Sequence, residues 1–252
     1  MQNSISPIRF GLISKLNILS KHVQLLHNVN DAMANEELSK RIKTAIILTP
    51  IVVGSMLVME AFIILILVAL AAMMYEWRTL VPKLPTSTIM WFRRNHLWVH
   101  LLGYVYIIFS CVAMMVVRSI PESGLYLTLF IALCVIATDI GAYFGGKRFG
   151  RHKLAPRISP SKTWEGLACG AFASSCMGMV SLPMLGFSLL HAAFYGVLFA
   201  VIGQAGDLLE SLIKRAAGVK DSSQLLPGHG GVLDRLDSHL AVFLVAFYLF
   251  VS

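Results

Sequence analysis

The chain has 252 residues, 57% of them apolar and only 13% charged, with a mean hydropathy of +0.73 and a net charge of +8. Soluble domains carry roughly 25% charged residues, so this composition excludes an ordinary soluble globule, a disordered chain and a basic nucleic-acid-binding domain. What remains is an all-α, polytopic helical membrane protein. Cys111, Cys134, Cys169 and Cys176 lie inside apolar runs without CxxC spacing. They read as small packing residues, so neither a disulfide framework nor a zinc site is indicated.

A helical crossing needs about 20 mostly apolar residues, and uncharged windows mark the candidates in chain order. Residues 1–43 are polar and basic, with no early apolar core, and are expected to be a cytoplasmic segment. Ile5, Ile8, Leu12, Leu16 and Leu19 suit an amphipathic surface stretch there. From Thr44 to Tyr75 only Glu60 interrupts the apolar run, which predicts a hairpin turning between Gly54 and Glu60. Asn95 to Val117 and Leu125 to Gly146 are single spans, the second carrying Asp139. Gly166 to Gly206 is long enough for two helices broken around Pro183, and Ser238 to Ser252 is the last apolar run. The reading gives about seven crossings, with residues 44–252 as one transmembrane catalytic domain.

Charge placement tests that count. Arg9, Lys15, Lys21, Lys40, Arg41 and Lys43 precede the first span, and Arg78, Lys83, Arg93 and Arg94 follow the second. Two further groups follow the fourth and sixth spans, and only Arg118 falls on the other side. The cation-rich face is therefore expected to be cytoplasmic. A single crossing over Thr44 to Tyr75 would strand the first six cations outside.

The chemistry is expected in two connections on that face, Thr138 to Gly166 and Gly206 to Asp237. They mix acids, cations and glycines. Gly145, Gly146, Gly228, Gly230 and Gly231 would let backbone amides approach a phosphate. Lys147, Arg148, Lys162, Lys214, Arg215, Lys220 and Arg235 would neutralise phosphate charge. Asp139, Asp207, Asp221, Asp234 and Asp237 offer hard oxygen ligands suited to magnesium. Asp139 stands out, because an ionisable group at membrane depth costs at least ~2.5–3.5 kcal/mol and is functional or paired by default. Snorkelling explains many basic residues beside a span, and a secondary transporter would also suit a buried acid. Against a transporter, the polar groups gather on one face and leave little opposite for alternating access.

At Ser211-x-Ile213-Lys214-Arg215, Lys220-Asp221-x-Ser223 and Pro227-x-His229-Gly230-Gly231-x-x-Asp234-Arg235-x-Asp237 the sequence resembles the signature of the phosphatidate cytidylyltransferases. Asp139-x-x-Ala142-Tyr143-Phe144 and Ser159-Pro160-Ser161-Lys162-Thr163-Trp164-Glu165-Gly166 resemble the second motif of that family, with Ser161 where many members carry Lys. Glu76-Trp77 is also family-like. The resemblance implies transfer of the cytidylyl group of CTP to phosphatidic acid, giving CDP-diacylglycerol and pyrophosphate, in a bacterial inner membrane. It implies Mg2+ on Asp207 and Asp234, with space for a second cation, and catalytic roles for these two with Lys220, Asp221 and His229. Asp139, Ser159, Lys162, Thr163, Lys214, Arg215, Arg235 and Asp237 fall at substrate-binding positions. The partners implied are CTP, phosphatidic acid and the lipid bilayer, with no nucleic acid and with room for a homodimer.

Overall fold

The computed structural model describes residue 36 and residues 38–84, 96–181 and 185–251. The amphipathic stretch expected near the N-terminus, and Arg93, Arg94 and Pro183, lie outside the described residues. Seven long helices make up most of the described chain. Helix α1 covers 38–57, and α2 (Met59–Leu80) follows after a break at Val58, whose φ of −114° and ψ of 120° are extended. Then come α3 (His96–Ser119), α4 (Gly124–Phe149), α5 (Trp164–Ser181), α6 (Leu189–Ala216) and α7 (Leu233–Val251). Four of these are long and apolar enough to cross a membrane: Met59–Lys83, which continues α2 by a short 3-10 turn, Leu97–Ser119, Gly124–Phe149 and Leu189–Ala216. Helix α7 starts with Asp234, Arg235 and Asp237, and α5 is rich in Gly, Ala and Ser. The three charges at the start of α7 and the small residues of α5 set these two helices apart from those four.

The run from Thr44 to Tyr75 forms the expected hairpin. Thr44 Oγ1 donates to Pro227 O at 2.8 Å, and Glu76 bonds residues 222–233, so both outer ends reach the same loop. At the other end Arg118 Nε donates to Met56 O at 3.0 Å, beside the turn. Arg118 therefore sits at the opposite end of the bundle from the acid- and cation-rich connections, as its isolation in the sequence suggested. Glu60, in the first turn of α2, lies at that opposite end too.

The interior is apolar and aromatic, with Phe130, Phe199, Met73, Ile107, Ile131 and Leu240 fully buried and the Phe130 and Phe199 rings 5.6 Å apart. Much of the outside is apolar as well: Ile46, Ile64, Phe109, Phe172, Leu190 and Tyr248 are exposed, Leu190 by 80%. A water-soluble protein hides such groups, whereas lipid tails accept them. Without a hydrophobic drive between helices in lipid, close packing needs small residues. A Cβ added at Gly170 would lie 2.8 Å from Thr138 O, and one at Gly166 2.9 Å from Ala142 O. Helices α4 and α5 therefore approach almost backbone to backbone. Buried hydroxyls bond carbonyls: Thr138 to Cys134 O, and Ser174 across to Gly196 O, both at 2.8 Å.

Two connections expected as loops are largely regular. Gly145, Gly146, Lys147 and Arg148 belong to α4, and Asp207, Lys214 and Arg215 belong to α6. Asp234 and Asp237 lie in the first turns of α7. Hydropathy marks where a helix leaves the apolar layer, not where its backbone stops being helical. A small antiparallel hairpin of β1 (Lys153–Ala155) and β2 (Ser159–Thr163) is the one named sheet among the described residues. Glu165 clasps its base. Its carboxylate accepts from the backbone N–H of Arg151 at 3.1 Å and of His152 at 3.2 Å, and lies 2.6 Å from His152 Nδ1.

Glu76 is the pivot of the fold's polar end. Fully buried on α2, it accepts from Ser222 Oγ (3.1 Å), Ser223 Oγ (2.6 Å), Val232 N (2.8 Å) and Leu233 N (2.8 Å). Two of these donors are among the unpaired N–H groups at the start of α7, so a side chain from another helix caps it. Its negative charge also meets the positive end of the α7 dipole.

Replacing Glu76 by Leu should strand these donors and lower stability by about 3–5 kcal/mol, since each buried unsatisfied group costs ~1–3 kcal/mol. The midpoint of heat-induced unfolding in detergent measures it, and a wild-type midpoint would refute the pivot. The hairpin clasp should respond to acid. The hydrogen bond to His152 leads in holding the Glu165 carboxyl down at about 2, below its ordinary 4.5. The clasp is thus in place above that ordinary value and lost as pH falls through about 2. Pepsin should cut residues 151–163 faster at pH 2 than at pH 4.5, while a Glu165→Gln variant is cut readily at both. Equal cleavage of the wild type at the two pH values would show that the carboxylate does not hold the hairpin.

Candidate active site

At the same end as Glu76, a cleft of about 340 Å³ opens between α4, the β-hairpin and α6. Asp139, Tyr143, Gly146 and Lys147 of α4 line it, together with Ser161, Lys162 and Thr163 of β2 and Gln204 and Asp207 of α6. Asp139 is exposed because its side chain faces this opening. Lys162, Gln204 and Asp207 share that lining, so the acid has polar company within its apolar helix. Four residues singled out in the sequence, Asp139, Lys162, Thr163 and Asp207, therefore meet around one space.

Lys162 and Asp207 form an ion pair across the cleft. Lys162 Nζ lies 2.6 Å from Asp207 Oδ2, with side chains 16% and 27% exposed, and Ser211 Oγ donates to Asp207 Oδ1 at 3.2 Å. Thr163 is buried and serves structure as well, since its Oγ1 accepts from Gly166 N at 3.1 Å and opens α5.

A second cluster is centred on Asp234. Its Oδ1 accepts from Lys214 Nζ at 2.7 Å, and Ser222 N reaches both carboxylate oxygens at 3.1 and 3.0 Å. Ser222 Oγ (3.1 Å) and Gly231 N (2.8 Å) complete the shell at Oδ2. Burial alone would raise this carboxyl. The Lys214 ammonium and the backbone N–H groups outweigh that and hold it below the usual carboxylate range. Lys214 also lies 3.3 Å from buried Glu210. Ser222 Oγ sits 3.1 Å from both Glu76 and Asp234, so its single proton serves one carboxylate at a time.

Two glycines of the signature sit against carboxylates. Gly230 has φ +83°, and a Cβ there would lie 2.9 Å from Asp234 Oδ2. At Gly231 a Cβ would collide with Ser222 Oγ and sit 2.7 Å from Glu76 Oε1. They make room for two carboxylates, and the Gly231 N–H donates to Asp234. Gly145 and Gly146 pack α4 against Cys169, Thr163 and Gly166 of the neighbouring segment.

The remaining predicted residues lie around these clusters. Ser159 starts β2 and pairs with Ala155. Arg215 donates to Ile158 O (3.3 Å) and Val219 O (3.2 Å), tying α6 to the hairpin turn. Arg235 Nε donates to His229 O at 2.9 Å, and His229 Nδ1 is buried without a hydrogen-bond partner. Asp237 lies near Asp207 and Glu210, deep between α6 and α7. Lys220 is exposed, and Asp221 touches Gln224 at 3.5 Å; neither lines the cleft. Among the described residues, no group of three or more His, Cys, Asp or Glu side chains is arranged to hold a metal ion. Glu76 and Glu210 had no site role in the sequence reading. Only the Glu76-Trp77 pair carried a signal, through its family likeness.

Residues 84–252 match the profile of the cytidylyltransferase family. The chain is 44% identical over 144 residues to a phosphatidate cytidylyltransferase of Haemophilus influenzae, covering 52% of this chain and 48% of that one. To the enzyme of that name from Brucella suis it is 41% identical over 143 residues, or 55% and 52% of the two chains. To that of Staphylococcus aureus it is 46% identical over 123 residues, or 48% and 47%. The chain thus spans about half the length of the curated relatives it matches. Two thirds of the chain, including the cleft, the Asp234 cluster and the signature loop between them, fall within the matched profile, and this integral membrane protein belongs to the cytidylyltransferase family.

Proposed function

We propose that the protein transfers the cytidylyl group of CTP to phosphatidic acid, releasing pyrophosphate, at the cytoplasmic face of a bacterial inner membrane. In this reading the seven helices all cross the bilayer and the cleft opens to the cytoplasm. The observation that carries it is the meeting of Lys162, Lys147, Asp139 and Asp207 around one cleft at the edge of the apolar surface. The printed names of the relatives point the same way.

An oxygen of the lipid phosphate bonds to the α-phosphorus of CTP as the bridge to the β-phosphate breaks, and pyrophosphate leaves. A phosphomonoester has its second pKa near ~6, so the attacking group is largely dianionic at neutral pH and needs no strong base. The obstacle is bringing two polyanions together, which is a problem of positioning and charge. Lys162 and Lys147 supply cationic charge at the cleft wall. Lys147 also lies over the Tyr143 ring, 5.9 Å from its centroid. Tyr143, Phe144, Phe149 and Trp164 are all exposed nearby, as in the aromatic belt of a membrane interface. A lipid headgroup would reach the cleft past these rings while its tails stay among lipid.

Magnesium is part of this proposal. Asp207, open to the cleft and beside Asp139, fits a hard cation, because Mg2+ commonly takes one or two carboxylates and fills its shell with phosphate oxygens and water. Asp234 offers oxygens already engaged by Lys214, Ser222 and Gly231, so it would join only after Lys214 turns away. Bound there, the ion would neutralise triphosphate charge and draw density from the α-phosphorus.

Purified protein in lipid–detergent micelles with phosphatidic acid and labelled CTP should move label into lipid only with Mg2+. The Asp207→Asn variant should lower that rate by about 100-fold or more while still inserting into membranes. Label that never enters lipid from folded wild-type protein would discard the reaction, and a transport assay in vesicles would then test the transporter.

A further inference from the structure

We propose that Lys162 is a resident counter-ion of Asp207 that gives way to a divalent cation only as the nucleotide arrives, so that metal and nucleotide bind together and metal alone binds weakly. This rests on the cytidylyltransferase reading above. The ammonium sits 2.6 Å from the carboxylate the ion would use, and neither side chain is more than about a quarter exposed. The two residues come from different elements, β2 and α6, so their pairing also closes one wall of the cleft.

The arrangement occurs twice. Lys214 stands 2.7 Å from Asp234, as Lys162 stands from Asp207. Each aspartate matched to the family's metal ligands thus holds a lysine, and those two lysines face Asp139, Asp207, Glu210, Asp234 and Asp237 at this end. The cleft wall itself carries two acids, Asp139 and Asp207, against two lysines, Lys147 and Lys162, and one of those lysines is already paired. A divalent ion arriving alone must displace an ammonium and leave it without a partner in a half-buried wall. An ion arriving with polyphosphate offers both sides a new partner at once. Asp207 turns from ammonium to metal, and Lys162 turns from carboxylate to phosphate. Each ligand then raises the affinity of the other by the same factor.

The test is Mn2+ binding, read by electron paramagnetic resonance on the full-length protein in detergent, with and without a CTP analogue that cannot be cleaved at the α–β bridge. Wild-type protein should bind Mn2+ weakly alone and more tightly with the analogue. Lys162→Met keeps the apolar stem and removes the charge. It should bind Mn2+ alone about tenfold more tightly than wild type, and gain little from the analogue. Lys162→Arg keeps the cation and should behave as wild type. The gain should vanish in Lys162→Met/Asp207→Asn. A Lys162→Met protein that binds Mn2+ no more tightly than wild type overturns the exchange, as does a gain that survives loss of Asp207. Failure of wild-type protein to bind the analogue at any Mn2+ concentration would overturn the cytidylyltransferase reading instead, and the measurements with Mn2+ alone would still decide the role of Lys162.

Discussion

A buried carboxylate with four neutral donors holds the polar end of this protein together. Glu76 stands on α2, yet the hydrogen-bond partners of its carboxylate all lie far along the chain, in the segment that ends as α7. An isolated buried charge is very expensive, so the carboxylate depends on these donors and on the helix dipole to stay buried. The reverse also holds. The first N–H groups of α7 and the hydroxyls of Ser222 and Ser223 lack comparable acceptors if Glu76 is removed. Gly231 follows from the same constraint, since a side chain there would occupy the space of the carboxylate. The position of Asp234 depends on it in turn, because Asp234 lies one residue after the capped N–H groups and shares Ser222 with Glu76.

The two lysine–aspartate pairs answer a different problem. The end of the bundle that collects carboxylates must stay folded before any substrate is present. In a site of low effective dielectric, like charges brought close together repel strongly. Lys162 and Lys214 relieve that repulsion at the two aspartates, while Asp139 lines the cleft beside them. The acid-rich end of the bundle therefore carries its own counter-ions.

Much of this was legible in the sequence. The hairpin over residues 44–75 followed from length and charge alone, and the bonds of Thr44, Glu76 and Arg118 place its ends and turn where that argument put them. The meeting of Asp139 with Lys162 and Asp207 was anticipated as chemistry, although the shape of the cleft was not. The extent of the helices was misjudged. Lys147 and Arg148 look like the start of a loop by composition, but α4 runs on to Phe149, and Gly145 and Gly146 inside it serve close contact with the α5 segment. The engagement of Gly231 by Asp234 was invisible for a related reason, because a glycine that admits a phosphate and one that admits a carboxylate read alike. Glu76 was marked only by likeness, since its partners are roughly 150 positions away and no local pattern reports them.

The glycines of α4 and α5 connect lipid-facing packing to the site. Gly141, Gly166 and Gly170 let the two backbones approach closely, and that approach fixes where β2 emerges relative to Asp139. Lys162 lies two residues before α5 begins, so its reach to Asp207 is set by the docking of a helix whose own contribution to the cleft is only Gly166 and Leu167. With a bulkier residue at Gly170 the helices would separate, and the ammonium would move with the hairpin that carries it. Helix packing in the apolar layer and charge pairing at its edge are therefore one constraint expressed at two depths.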